Sequence, residues 1–305
     1  MSGVPVVHRD FSGPPTIHYI EGPASGPRLL LLHGVTRNWH DWEPLLPELA
    51  RQWHVIAPDQ RGHGESARVP GSYRVTDYAR DAADFVRAIF SDSEPVVVVG
   101  ASLGAMVALS LAAECGPLIA GIVLEDPPFH TMGQRIQETP YQAQFTGMQE
   151  VARRGGSIES MTDALAGIRL PSPQGVVRLG DLRARPSLRF GAGCLATVDP
   201  DVFTPLIAGQ WLDRFDYEAL WPRVACPALL LQGDPACGGA FTAADVAFAR
   251  TTLKHHHHIC FTGVGHQIHG TRPAEFLDAI QDFAAHVHFL QLSTKPTIQL
   301  KSISG

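Results

Sequence analysis

Along the first 126 residues short apolar runs alternate with amphipathic segments. The runs at 28–32, 53–57, 95–99 and 119–124 are continuous rather than alternating, as expected of strands buried on both faces, and 16–20 reads as an edge strand. Between them, 41–51 places Trp42, Leu45, Leu46 and Leu49 at helical spacing behind an irregular, proline-bearing start. Residues 77–90 carry Phe85, Val86 and Ile89 on one side of a helix, and 103–114 is a small-residue helix. Strands separated by helices predict a mostly parallel sheet with helices on its faces.

The alternation stops near Pro128 and resumes after Pro222 with strands at 228–231 and 257–261 and helices at 242–253 and 273–290. The intervening block has helix-like pieces and several prolines but no strand run. The chain is therefore divided into a core of 1–127 and 223–291 and an inserted helical cap of 128–222. The polar end, 292–305, is expected to be a disordered tail. No internal repeat is apparent.

Composition narrows the function classes. Hydrophobic residues form 45% of the chain and charged residues 18%, which suits a packed core and argues against general disorder. The net charge, 24 − 30 = −6, offers no electrostatic footprint for nucleic acid or an anionic membrane, so neither is an expected partner. Neither a signal-peptide pattern nor an apolar stretch of about 18 residues is visible. Five cysteines without CxxC spacing fit a reducing cytoplasm better than a disulfide framework.

The strongest chemical signal is Val99-Gly100-Ala101-Ser102-Leu103-Gly104, directly after a valine strand and opening a helix. This G-x-S-x-G pattern in a strand–turn–helix setting marks a nucleophile elbow. It projects the Ser102 hydroxyl and leaves the Leu103 N–H at a helix N-terminus, where it can face a developing oxyanion. A serine hydroxyl needs a general base. The run His255–His258 alternates faces if it forms a strand, so its imidazoles do not converge on one ion, and no metal or other cofactor is expected.

Three motifs stand in order: His33-Gly34, then Asp59-Gln60-Arg61-Gly62-His63-Gly64-Glu65-Ser66, then the elbow. With them the chain resembles the serine-nucleophile branch of the α/β-hydrolase superfamily over about residues 16–126 and 225–290. The resemblance implies an α/β fold with a mostly parallel sheet and an inserted cap, and a second oxyanion donor at the Val35 N–H. It implies structural roles for His33, Asp59, Arg61 and Ser66. It also places the base in Gly263-Val264-Gly265-His266, so His266 is the expected base, with His269 its competitor. The acid is divided. Asp234, after the strand at 228–231, is taken first, although it follows Gly233 directly where the family pattern has two intervening residues. Asp126, after the strand at 119–124, is the alternative, because some relatives draw their acid from there.

On this resemblance the expected function is serine hydrolysis of a carboxylic ester or lactone of a small, largely apolar molecule through an acyl-enzyme. Carbon–carbon bond hydrolysis, cofactor-free haloperoxidase-like activity, and a hydrolase-derived ligand receptor are the alternatives. Glu125-Asp126-Pro127-Pro128-Phe129 with Asp234-Pro235-x-x-Gly238 is also weakly similar to bacterial hydrolases that open large aromatic lactones. The seven arginines between Val151 and Phe190, against three acids, are read as a solvated helix face rather than an anion site. Oligomeric state is not legible.

Overall fold

The computed structural model describes residues 3–90, 95–172 and 175–294 of the 305. Among the described residues there are ten strands: β1 Val7–Phe11, β2 Ile17–Glu21, β3 Arg28–Leu32, β4 His54–Pro58, β5 Val96–Ala101, β6 Ile119–Glu125, β7 Arg169–Ser172, β8 Gly175–Arg178, β9 Ala228–Gly233 and β10 His256–Phe261. Eight form one sheet in the order β1-β2-β4-β3-β5-β6-β9-β10. The β1–β2 and β2–β4 pairs are antiparallel and the remaining neighbours parallel. This is the α/β architecture that the apolar runs predict.

The pleat of the central strands divides the core into two layers. Leu30, Leu32, Val96 and Val98 face the helices Val75–Phe90 and Leu103–Glu114. Leu29, Leu31, Val97 and Val99 face the opposite side, against Trp42, Leu46 and the helix Pro273–Thr294. Burial on both faces is why these strands read as unbroken apolar runs. Strand β1, VHRDF, is mostly exposed and was not expected from sequence.

The block between β6 and β9 holds the helices Pro140–Arg154, Ile158–Ala166 and Arg185–Thr197, and also the hairpin β7–β8, which the sequence reading did not expect. Its apolar side chains do not form a core of their own. Phe145, Phe203 and Trp211 belong to the same buried cluster as Leu103 and Met106 of the sheet's helical layer. Tyr73 Oη donates to Asp199 (2.6 Å), the Asp199 N–H donates to the Gly62 carbonyl (2.7 Å), and the Val75 N–H donates to the Trp211 carbonyl (3.0 Å). These bonds fasten the block to the loop after β4. The helix Pro273–Thr294 takes in the first residues of the expected tail; from 295 onward the expectation lies outside the described residues. Among the described residues no helix is long and apolar enough to cross a membrane.

The loop after β4 is rigid for identifiable reasons. Asp59 accepts from the Trp39 N–H (2.9 Å), the Glu65 N–H (3.0 Å) and His18 Nδ1 (3.0 Å). Ser66 Oγ donates to the Asp59 carbonyl (2.6 Å) and accepts from the His18 N–H (2.8 Å). Buried Arg61 donates through Nε and Nη2 to both carboxylate oxygens of Asp81 on the helix Val75–Phe90. The motif residues thus act on the backbone of the loop.

Removing one member of a buried ion pair leaves an uncompensated charge. Asp81→Ala is expected to destabilise the protein by about 3–5 kcal/mol, read from the urea midpoint. A change within about 0.5 kcal/mol would show the pair to be dispensable.

Candidate active site

The elbow sits where β5 turns into the helix Leu103–Glu114. Ser102 has φ 54° and ψ −110°, a left-handed conformation that costs on the order of 1–3 kcal/mol in a non-glycine residue. The turn is held by the Ser102 N–H donating to the Glu125 carbonyl at the end of β6 (2.9 Å). The two motif glycines are there for close approach. A Cβ on Gly100 would lie 2.1 Å from the Gly104 carbonyl oxygen, and one on Gly104 would lie 2.0 Å from the Leu32 carbonyl oxygen.

The two residues expected to supply backbone donors lie near Ser102. Leu103 is the first helical residue, so its N–H has no intrahelical acceptor. Val35 lies on the loop after β3, beside Gly34, whose position is 3.5 Å from Ser102 Cβ when a Cβ is built on it. That loop is braced by two buried histidines. His33 Nε2 accepts from the Gln60 N–H (2.9 Å) while its Nδ1 donates to the Gly34 carbonyl (2.8 Å), and burial pushes its pKa down to about 4. It is therefore neutral and structural. His63 spans the carbonyl oxygens of Arg61 and Val35 (2.8 Å each), fixing the Val35 peptide.

His266 follows β10, is 31% exposed, and directs Nδ1 to Asp126 Oδ2 at 2.7 Å. Asp126 breaks out of β6 with φ 46° and is fully buried. Its carboxylate also accepts the N–H groups of Gly233 (2.9 Å), Ala240 (2.6 Å) and Phe241 (3.1 Å). Burial alone would raise its pKa. Contact with His266 and the amides outweighs burial and holds it below the ordinary carboxylate value.

Asp234, the first choice of acid, is not the aspartate that the structure brings to His266. Asp234 makes no contact with His266 among the described residues. It caps the short turn Pro235–Cys237, accepting from the Ala236 N–H (2.9 Å) and the Gly263 N–H (2.9 Å), and is half-buried. The missing two-residue spacer is the physical reason, because an aspartate directly after Gly233 is committed to capping its own turn.

The competing imidazole, His269, is enclosed by two carboxylates. It is 4% exposed, with Nδ1 2.7 Å from Glu125 and Nε2 3.3 Å from Asp41. Burial alone would lower its pKa, but the two carboxylates outweigh it and push it up to about 10. Glu125 also accepts from the Ile268 N–H (2.7 Å) and the His269 N–H (3.0 Å), and Arg37 Nε lies 3.3 Å from Asp41. The resulting chain Glu125–His269–Asp41–Arg37 fixes the segment after His266. Sequence reasoning missed it; the available signal was a glutamate ending an otherwise apolar strand.

Ser102, Val35 and His266 line one cavity of about 690 Å³ beneath the block between β6 and β9. Met132, Phe145, Leu170 and Trp211 supply apolar walls. The histidines of β10 point apart: His257 meets His286 edge-on, His258 Nε2 is 3.0 Å from Gln232, and His256 Nδ1 faces the Leu253 carbonyl. Among the described residues, the group with metal-ligand spacing is His8, His18 and Glu65, on the β1–β2 edge outside this cavity.

A family model described as "Alpha/beta hydrolase family" matches residues 29–279. A 2-(acetamidomethylene)succinate hydrolase of Mesorhizobium japonicum is 38% identical over 102 residues, 33% of this chain and 36% of that protein. This match and the three of Mycobacterium that follow it thus span about a third of those relatives' lengths. An esterase of Mycobacterium tuberculosis is 26% identical over 91% of this chain and 89% of its own. Among solved structures, an E-2-(acetamidomethylene)succinate hydrolase superposes with a TM-score of 0.68 at 24% identity, covering 92% of this chain and 100% of that one.

The His269 environment has a measurable consequence. With its folded pKa raised from about 6.5 to about 10, the stability it contributes is fully present below pH 6.5 and is lost as pH rises toward 10. Imidazole NMR is expected to show His269 protonated throughout the neutral range. Titration near pH 6.5 would contradict the geometry.

Proposed function

The chain belongs to the alpha/beta hydrolase family, and on that premise we propose that it is a serine hydrolase that opens a carboxylic ester or lactone through an acyl-enzyme. One observation carries the reading. A serine on a strained elbow and a partly exposed imidazole backed by a buried carboxylate border the same cavity. The 2.7 Å contact assigns the Nδ1 proton of His266 to the side of Asp126, which leaves Nε2 as the base. Nε2 takes the Ser102 proton as Oγ attacks the substrate carbonyl, and the Asp126 carboxylate stabilises the imidazolium. The Val35 and Leu103 N–H groups receive the oxyanion. Collapse of the tetrahedral adduct breaks the bond to the leaving oxygen, which takes the proton back from His266. Water, deprotonated by His266, then attacks the acyl-enzyme and releases the acid, restoring the Ser102 hydroxyl.

In this reading the block at 128–222 is the cap that selects substrates. A cavity of about 690 Å³ suits a small molecule. The five cysteines are all free, which supports a reducing compartment.

Ser102→Ala is expected to lower hydrolysis of an activated ester by several orders of magnitude in a folded protein. Asp126→Asn is expected to lower kcat by up to about 10⁴-fold, since an amide cannot stabilise the imidazolium. Asp234→Asn is expected to stay within a few-fold of the parent at matched stability. Near-normal turnover by folded Ser102→Ala would end the serine mechanism. An inactive Asp234→Asn beside an active Asp126→Asn would return the acid to Asp234.

A further inference from the structure

The arginines of the cap divide by environment. Arg153, Arg178, Arg185 and Arg189 all meet carboxylates at the surface: Arg185 pairs with Glu159 (2.9 Å) and Asp163 (2.8 Å), Arg189 with Glu159 (2.8 Å), Arg178 with Asp181 (3.3 Å) and Arg153 with Asp201 (3.8 Å). Arg154 and Arg169 are exposed to water. Arg183 is different. It is partly buried, it lines the catalytic cavity and the narrow cleft running on from it, and among the described residues its side chain has neither a hydrogen bond nor an ion pair. Burial and the neighbouring charge of Arg37 depress its pKa.

The other charges bordering the cavity are already matched. Glu125, His269, Asp41 and Arg37 alternate in sign and close on one another, and Asp126 is held by three amides and His266. Among the described residues that line the cavity, no carboxylate is left for Arg183. Desolvating a guanidinium without a counter-charge is unfavourable, and its planar fork of donors is shaped for a carboxylate. The hydroxyl residues Thr36 and Ser187 line the same two spaces and add neutral donors.

We propose that Arg183, with Thr36 and Ser187, forms a carboxylate subsite, so that the substrate is an ester or lactone whose acyl part carries an anionic group. The inference rests on the serine-hydrolase reading and deepens it. The substrate is amphiphilic, with the reacting carbonyl at Ser102, an apolar middle against the cap, and a carboxylate at Arg183.

A matched pair of substrates tests this: the 4-nitrophenyl monoester of glutaric acid and its neutral methyl ester. The parent protein is expected to favour the anionic ester in kcat/KM. In Arg183→Gln that preference is expected to fall on the order of 10- to 100-fold, mainly through KM, with Arg183→Lys intermediate. The monoester is also expected to raise the melting temperature of Ser102→Ala, and to do so less when Arg183→Gln is added. Equal handling of the two esters by the parent, or an unchanged preference in Arg183→Gln, overturns the subsite and leaves the hydrolase reading standing. If neither ester is turned over, the hydrolase reading fails. The melting shift of Ser102→Ala then decides the subsite alone, and a shift that survives Arg183→Gln overturns it.

Discussion

The carboxylate of Asp126 is the constraint around which the site closes. A carboxylate removed from water is stable only when several donors replace the solvent, and here three amides and one imidazole do so. The donors come from distant parts of the chain: the end of β9, the loop leading to the helix Ala243–Thr252, and the loop after β10. The Asp126 N–H in turn donates to the Leu231 carbonyl (2.8 Å). Satisfying one buried charge therefore fixes where three loops lie, and the imidazole is located as part of that requirement.

Adjacent residues of one strand end serve two histidines in opposite ways. Glu125 shares a buried His269 with a second carboxylate, and the two carboxylates favour the cationic imidazole, which ties down the chain. Asp126 holds a His266 that keeps one side toward the cavity. What separates the two environments is the count of carboxylates and the access to solvent. The reversal of direction at Asp126, φ 46°, delivers the two side chains to different neighbours.

Much of this was legible in the chain, for local reasons. Continuous apolar runs identify strands buried on both faces, and the glycines at 100 and 104 are demanded by backbone contacts within one turn and its neighbouring strand. Strand β1 was hidden because its mostly exposed side chains carry no apolar pattern, and the hairpin β7–β8 because its four-residue strands include a proline and two arginines. The acid was ambiguous for a deeper reason. Two aspartates followed strand ends, and the choice between them depended on which one the loops after β9 and β10 enclosed. Asp234 departs from the spacing expected of an acid, and that departure was the readable warning. The Arg183 environment depends on packing between the block after β6 and the loop after β3, and composition alone blurs it into a basic stretch.

The connection between β6 and β9 has a bearing on how such a protein diverges. It leaves the end of β6 and returns to the start of β9, and these are neighbouring parallel strands in register from Ile122 with Ala228 to Glu125 with Leu231. It is thus an ordinary crossover that has been lengthened, with both ends set by the sheet. For a flexible segment, each doubling of such a loop adds only about 0.6 kcal/mol of closure entropy. Insertions and deletions away from the tether points at Asp199 and Trp211 are cheap in the same sense. A lineage can rebuild the chamber over Ser102 piece by piece, exchanging one clientele of molecules for another, while the hydrogen bonds beneath are left in place.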